Sequence, residues 1–292
     1  MPASFSSLWA RISPRPPRPP EQSNSKAGRN LKAAVPTALV LLAIVALAVL
    51  VKIEFFVVVI ALALCIGMWE VAGAFMTRDI HISIFPLWIA TIAMVSATWF
   101  GGLAVGLTVF LLSCGAIFIL RVRDGEKRSG WDAVASIFAL GWISMLGCFA
   151  VELASLPDAP WLVALLILMP VANDTGGWAF GVLWGKHPMS PRISPKKSWE
   201  GFAGSLVVAF VVAFVLVVVA LGKPWYLAIL VGAVAVACAT LGDLSESMLK
   251  RELGVKDMGT IFPGHGGMLD RIDSILMWAP FCWLIMYPTI VS

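Results

Sequence analysis

The sequence predicts an all-α, polytopic integral membrane protein with about nine transmembrane helices and a cytoplasmic N-terminus. Three observations carry the prediction. Of 292 residues, 60% are hydrophobic and only 13% are charged, where a soluble domain has about 45–50% apolar and about 25% charged residues. The apolar runs come in lengths of about 20 residues, enough for a helix to span a bilayer. Hydrophobicity within them is continuous rather than alternating, which excludes a membrane β-barrel.

Residues 1–32 differ from the rest. The segment RISPRPPRPP is basic and rich in proline, and Ser, Asn and Gly follow it. Such a composition cannot bury a core, so it reads as a disordered cytoplasmic tail. No short apolar stretch with a small-residue cleavage site follows its charges, as a signal peptide would require. Nine spans are then expected at 33–51, 55–76, 80–99, 102–120, 132–153, 160–184, 201–221, 225–248 and 272–291. They divide into N-terminal helices over 33–130 and a C-terminal catalytic region over 131–292. Very short connections, such as Lys52–Glu54 and Gly101, predict antiparallel helical hairpins. All five cysteines lie in apolar runs without a C-x-x-C pair, and read as small buried hydrophobes.

Charge placement sets the orientation. With nine spans, all but two of the 21 Lys and Arg residues fall on the side of the tail; the exceptions are Lys52 and Lys223. By the positive-inside rule that side is cytoplasmic. The loops carrying the motifs described next fall on the same side, where nucleotides are found.

Two stretches concentrate charge beside apolar runs, which is costly unless the charge has work to do. The first is GDLSESMLKRELGVKDMGTIFPGHGGMLDRID over 242–273. Asp270 and Asp273 are three residues apart at the start of the last span and share a helical face. Asp243 lies near the cytoplasmic end of span eight, with Ser247 one turn on. Three converging carboxylates repel one another unless a cation sits among them, and Mg²⁺ prefers carboxylates, water and phosphate oxygens. The plainer alternative is pairing with Lys250, Arg251 or Arg271. The turn Gly264-His265-Gly266-Gly267 can aim backbone N–H groups at an anion, and His265 can donate to a phosphate. Lys256 and Asp257 precede it.

The second stretch, 173–204, begins with Asn173 and Asp174 inside a span beside Pro170 and Gly176-Gly177. An intramembrane acid next to helix breakers marks a water- or ligand-lined site. Gly177, Gly181 and Gly185 repeat every four residues, which favours close helix packing. Ser194, Lys196, Lys197 and Ser198 then bring hydroxyls and cations to the membrane edge, and Glu200 starts span seven. Hydroxyl, cation and helix start together suit polyphosphate binding. Elsewhere, Glu70 is an intramembrane acid without an evident partner, Glu152 and Asp158 read as solvated at the outer face, and Arg121 reads as a topology determinant. Three histidines without His-x-x-x-His spacing argue against zinc. No Walker A motif, dinucleotide fingerprint, Ser-His-Asp order or nucleic-acid module appears.

Ser247-x-x-Lys250-Arg251, Lys256-Asp257, Pro263-Gly264-His265-Gly266-Gly267 and Asp270-Arg271-x-Asp273, with Asn173-Asp174 and Ser194-Pro195-x-Lys197-Ser198-x-Glu200-Gly201 upstream, resemble the signature of the phosphatidate cytidylyltransferases, also called CDP-diacylglycerol synthases. The resemblance spans 173–273; residues 1–130 share only generic membrane helices and a Trp69-Glu70 pair, and the proline-rich tail is outside the usual pattern. It implies a multi-pass enzyme of the cell membrane whose active site faces the cytoplasm. That enzyme joins CTP to phosphatidic acid, depends on Mg²⁺ with the number of cations open, feeds phospholipid biosynthesis and forms a homodimer. On this expectation Asp243 and Asp270 hold the metal, with Asp273 and Asp174 as further ligands. Lys250, Arg251, Lys256 and Arg271 neutralise phosphates, and Lys196, Lys197 and Ser198 hold the CTP tail or the lipid phosphate. Two other readings stand beside it: a CTP-dependent transferase acting on another lipid phosphate, and an ion-coupled transporter. The transporter accounts for Asp174, Asp243 and Glu70 but not for motifs gathered on one face.

Overall fold

The computed structural model describes residues 13–17, 40, 43–124, 129–191, 193–261 and 266–291. Most of the tail, residues 33–39, 41 and 42 of the first expected span, and Lys127, Arg128, Arg192, Pro263, Gly264 and His265 lie outside the described residues.

A helical piece over 43–51 (α1) leads into α2 (Ile53–Phe75), which ends in a tight turn over Met76–Arg78. There follow α3 (Ile84–Gly101), α4 (Leu103–Asp124), α5 (Ser129–Ser155), α6 (Ala159–Trp184), α7 (Trp199–Ala220), α8 (Trp225–Leu253) and α9 (Leu269–Val291). From α2 onward these are eight helices of 18 to 29 residues, long and apolar enough to cross a membrane. At about 1.5 Å per residue they measure roughly 27–44 Å, against a hydrocarbon core of about 30 Å. Wider turns of π-helix interrupt α5 at Leu140–Met145 and end α7 at Phe214–Ala220. The protein is an all-α, polytopic membrane protein. The sequence reading missed one departure, a small antiparallel hairpin of β1 (Pro188–Ser190) and β2 (Ser194–Ser198) between α6 and α7, pairing Pro188 with Ser198 and Ser190 with Ser194.

Helix α9 is central. It packs on α8, α6, α5 and α2, and its Trp278, Cys282 and Met286 are fully buried. All five cysteines are free thiols. Small residues bring the site-bearing helices together. A Cβ on Gly176 of α6 would lie 2.7 Å from the Gly204 carbonyl oxygen of α7, and one on Gly242 of α8 would lie 3.0 Å from the Asp273 carbonyl oxygen of α9. Backbones can approach that closely only where no side chain intervenes.

Three buried acids outside the two motif stretches, Glu70, Asp132 and Glu152, make contacts that hold the fold. Glu70 accepts hydrogen bonds from the Met268 and Leu269 N–H groups (2.9 Å each), capping the N-terminus of α9. Its carboxylate fills the space where Gly259 and Gly267 have no side chain. Seven residues on, Thr77 Oγ1 donates to the Leu253 carbonyl (2.8 Å), and Arg78 Nε to that of Glu252 (2.8 Å), capping the C-terminus of α8. One helix, α2, therefore fastens both ends of the 254–268 connection. Glu152 is buried rather than solvated: its carboxylate accepts from the Leu103 N–H at the start of α4, a partner lying 49 positions back in the chain. Arg121 does more than set topology, since it reaches buried Asp132 (3.9 Å) and donates to the His81 carbonyl (2.5 Å), while Asp132 accepts from the His81 N–H (2.8 Å).

Gly176→Val forces the α6–α7 contact apart. Overpacking of a tight core costs about 1–3 kcal/mol, so thermal unfolding in detergent should show a lowered midpoint with secondary structure retained.

Candidate active site

Near the C-terminal ends of α6 and α8 and the N-terminal ends of α7 and α9, a cavity of about 410 Å³ opens. Its wall combines Asn173, Asp174 and Trp178 of α6, Lys196, Lys197 and Ser198 of β2, Ser205 of α7, Thr240, Asp243, Glu246 and Lys250 of α8, and Asp270, Arg271 and Asp273 of α9. Residues up to a hundred positions apart converge here because the four helix ends lie together.

Helix α6 delivers Asn173 and Asp174 through a weakened turn. Pro170 has no N–H to give the preceding turn. Ser205 Oγ crosses from α7 to donate to the Asn173 carbonyl (2.6 Å). The Asn173 amide is oriented by Thr240 Oγ1, donating to Oδ1 (3.3 Å), and gives its own Nδ2 proton to Asp174 (3.1 Å). Asn173 thereby positions Asp174 at the cavity wall.

The hairpin delivers the cations. Glu200 on the first turn of α7 accepts from the Lys186 and His187 N–H groups (3.1 and 3.2 Å) and pairs with His187 Nδ1 (2.5 Å). This closes the strands from outside the cavity. Ser198 is the N-cap of α7 and accepts from the Gly201 N–H (3.1 Å). Lys197 then reaches across to Asp243 on α8 (2.5 Å).

Helices α8 and α9 deliver the acids. One oxygen each from Asp243, Glu246 and Asp273 lie within 4.8 Å of one another, the one such group of His, Cys, Asp or Glu among the described residues. Glu246 sits one turn from Asp243 and was not singled out in the sequence; its spacing of three on one helix was the available signal. Its Oε2 meets Lys250 Nζ (2.6 Å), whereas Oε1 is buried without a hydrogen-bond donor. Lys250 also meets Asp270 Oδ1 (2.7 Å), and Asp270 Oδ2 accepts from the Met258 and Gly267 N–H groups (3.0 and 2.8 Å). Asp270 thus ties the 254–268 connection to the cavity. Gly266 has φ +78°, a left-handed conformation that glycine adopts without steric cost.

The remaining expected site residues sit around this centre. Arg251 and Lys256 are exposed, while Ser247 and Asp257 are half-buried. None of the four lines the cavity, nor do Ser194, Glu200, Gly266 or Gly267.

Carboxylates crowd together at one end of the cavity, with four cations and a helix N-terminus beside them, and these are the group types that divalent cations and polyanions take as partners. The chain belongs to the cytidylyltransferase family, whose model matches residues 32–288. It is 36% identical to a phosphatidate cytidylyltransferase of Mycobacterium bovis over 281 residues, covering 91% of this chain and 92% of the relative. The same identity holds over 284 residues with the phosphatidate cytidylyltransferase of Mycobacterium leprae, covering 91% and 90%. That of Bacillus subtilis is 44% identical over 116 residues, 39% of this chain and 43% of the relative.

Lys250→Met leaves Glu246 and Asp270 buried without their shared cation. Removing one partner of a buried ion pair costs about 3–5 kcal/mol, so this variant should melt well below wild type in detergent. Adding a matching Glu246→Gln change should recover part of the loss.

Proposed function

We propose that the protein is a phosphatidate cytidylyltransferase. It transfers the cytidylyl group of CTP to the phosphate of phosphatidic acid, giving CDP-diacylglycerol and pyrophosphate for phospholipid biosynthesis. The observation that carries the reading is a cavity uniting both motif stretches in a chain of the cytidylyltransferase family. The names of relatives that match nine-tenths of it supply the substrate.

A phosphate oxygen of phosphatidic acid attacks the α-phosphorus of CTP. The α–β bridging bond breaks, and its electron pair leaves with pyrophosphate. A phosphate monoester has a second pKa near 6, so the nucleophile needs no strong general base; the cavity accordingly offers lysines and carboxylates rather than a His–acid pair. The difficulty is the mutual repulsion of two polyanions. Positioning and charge neutralisation are therefore the work of the site.

The donor set fits Mg²⁺: three convergent carboxylates, one with a buried oxygen that nothing donates to. Asp243, Glu246 and Asp273 would hold it, with Asp270 and Asp174 as further ligands on the same wall. When bound, Mg²⁺ neutralises polyphosphate charge and orients phosphate oxygens. Lys196 and Lys197 on the hairpin and Arg271 on α9 receive phosphate oxygens, and the α7 N-terminus behind Ser198 adds its partial positive charge. Lys250 keeps the acid cluster in register. Arg251 and Lys256, exposed outside the cavity, attract anionic substrate to its mouth. The skewed placement of Lys and Arg supports a cytoplasmic mouth in the cell membrane, with lipid arriving sideways and CTP from water.

Purified protein given labelled CTP, Mg²⁺ and a panel of lipid phosphates should form a CDP-lipid with phosphatidic acid. Asp243→Asn, Glu246→Gln, Asp273→Asn and Asp270→Asn should each lower that turnover by at least about a hundredfold, the upper end of what outer-shell metal partners cost. Lys223→Ala, whose ammonium caps the far end of α9 at the Thr289 carbonyl, should not change it. Near-normal turnover by Glu246→Gln would remove that residue from the metal set, and no product with phosphatidic acid would sink the assignment.

A further inference from the structure

The proposed reaction leaves the proline-rich tail unused, and the family match begins only at its last residue, 32. Five tail residues are nonetheless described: Ser13, Pro14, Arg15, Pro16 and Pro17. The expectation of a structureless tail does not extend to them. They lie against α2 at Gly73. A Cβ on Gly73 would run into the Arg15 carbonyl, with the carbonyl carbon at 3.0 Å and the Arg15 nitrogen at 3.3 Å. The contact is made by backbone and exists only because position 73 has no side chain.

Where that notch falls matters. Glu70, Gly73 and Thr77 are three and four residues apart, so they share one face of α2. Glu70 holds the start of α9, and Thr77 holds the end of α8. The tail segment therefore sits on the α2 face midway between the two points that fasten the 254–268 connection. That connection carries Met258 and Gly267, whose N–H groups fix Asp270 in the cavity wall. Three prolines in five residues hold φ near −65°, so the segment surrenders little conformational freedom on docking.

We propose that residues 13–17 are a working part of the active-site scaffold: the segment docks in the Gly73 notch of α2 and steadies the described parts of the α8–α9 connection, 254–261 and 266–268, whose Met258 and Gly267 hold Asp270. The tail is thus an intramolecular positioning element. The proposal rests on the function proposed above only for its turnover arm.

Two variants test it in detergent or nanodiscs. One replaces residues 13–17 with glycine and serine and leaves every helix untouched. The other, Gly73→Ala, closes the notch and leaves the tail untouched. Amide hydrogen exchange of 254–268 should rise at least tenfold in each, with α4 and the middle of α8 unchanged. The double variant should be no worse than the single ones, because both remove one contact. CTP turnover with phosphatidic acid should fall in parallel. Unchanged exchange in the tail-replaced protein, additive losses in the double variant, or loosened exchange with full turnover would each overturn the proposal. A wild-type protein without turnover would instead count against the assigned reaction, and the exchange results alone would then decide the docking.

Discussion

A buried ammonium ties the two acid-bearing helices of the candidate site together. Lys250 lies between Glu246 on its own helix and Asp270 on the next. Neither acid is affordable alone in a low-dielectric interior, and each justifies the other through the shared cation. The pair also sets geometry. Glu246 is held one turn from Asp243, and Asp270 is drawn towards the cavity. Gly242 permits this, because α8 and α9 touch backbone to backbone there. Take away the ammonium, and the carboxylates on the two helices repel each other across that seam.

The support behind Lys250 comes from α2, which contributes nothing to the cavity wall. Glu70 caps α9, and Thr77 and Arg78 cap α8, so the connection between the two acid-bearing helices is fastened at both ends. Caps are cheap in water, where solvent can replace them. At a helix end buried in a membrane protein each unsatisfied group costs more. This is why α2 can spend a buried carboxylate on two N–H groups.

Much of this was legible in the sequence, and the limits of legibility are physical. Long continuous apolar runs demand helices, so the eight spans from residue 55 onward were readable to within a few residues; α8 runs to Leu253 rather than 248 because its last polar turn is carried by Lys250 and its acids. Asp174, Asp243, Asp270 and Asp273 were singled out as charges in an apolar setting, and they do line one cavity. Glu246 escaped because an acid next to Lys250 on one helix reads as an ordinary i,i+4 surface pair. The roles of Glu70 and Glu152 were not readable, since the N–H groups they cap belong to other helices and no local pattern announces them. The hairpin over 188–198 was equally silent: its strands are short and polar, and Glu200 closes them through two backbone groups.

The acids of the helical bundle differ in what satisfies them. Glu70, Glu152 and Asp132 accept from backbone N–H groups at or beside helix starts. Both oxygens of Glu70 are engaged in this way, whereas Oε2 of Glu152 stays buried without a donor. Asp243, Glu246 and Asp273 also face one another; Asp273 accepts from the Ser274 N–H (2.7 Å), Asp243 pairs with Lys197, and Oε1 of Glu246 is buried without a donor. Mutual repulsion at that range has to be relieved by neighbouring cations or by protonation, and Lys197 and Lys250 supply two such cations here. Asp270 belongs to both groups. One oxygen is fixed by Met258 and Gly267, and the other is turned to Lys250 at the cavity wall. With both oxygens engaged, Asp270 links the backbone beside α9 to the ammonium of α8 at the cavity wall, so the position of Met258 and Gly267 bears directly on where that carboxylate sits.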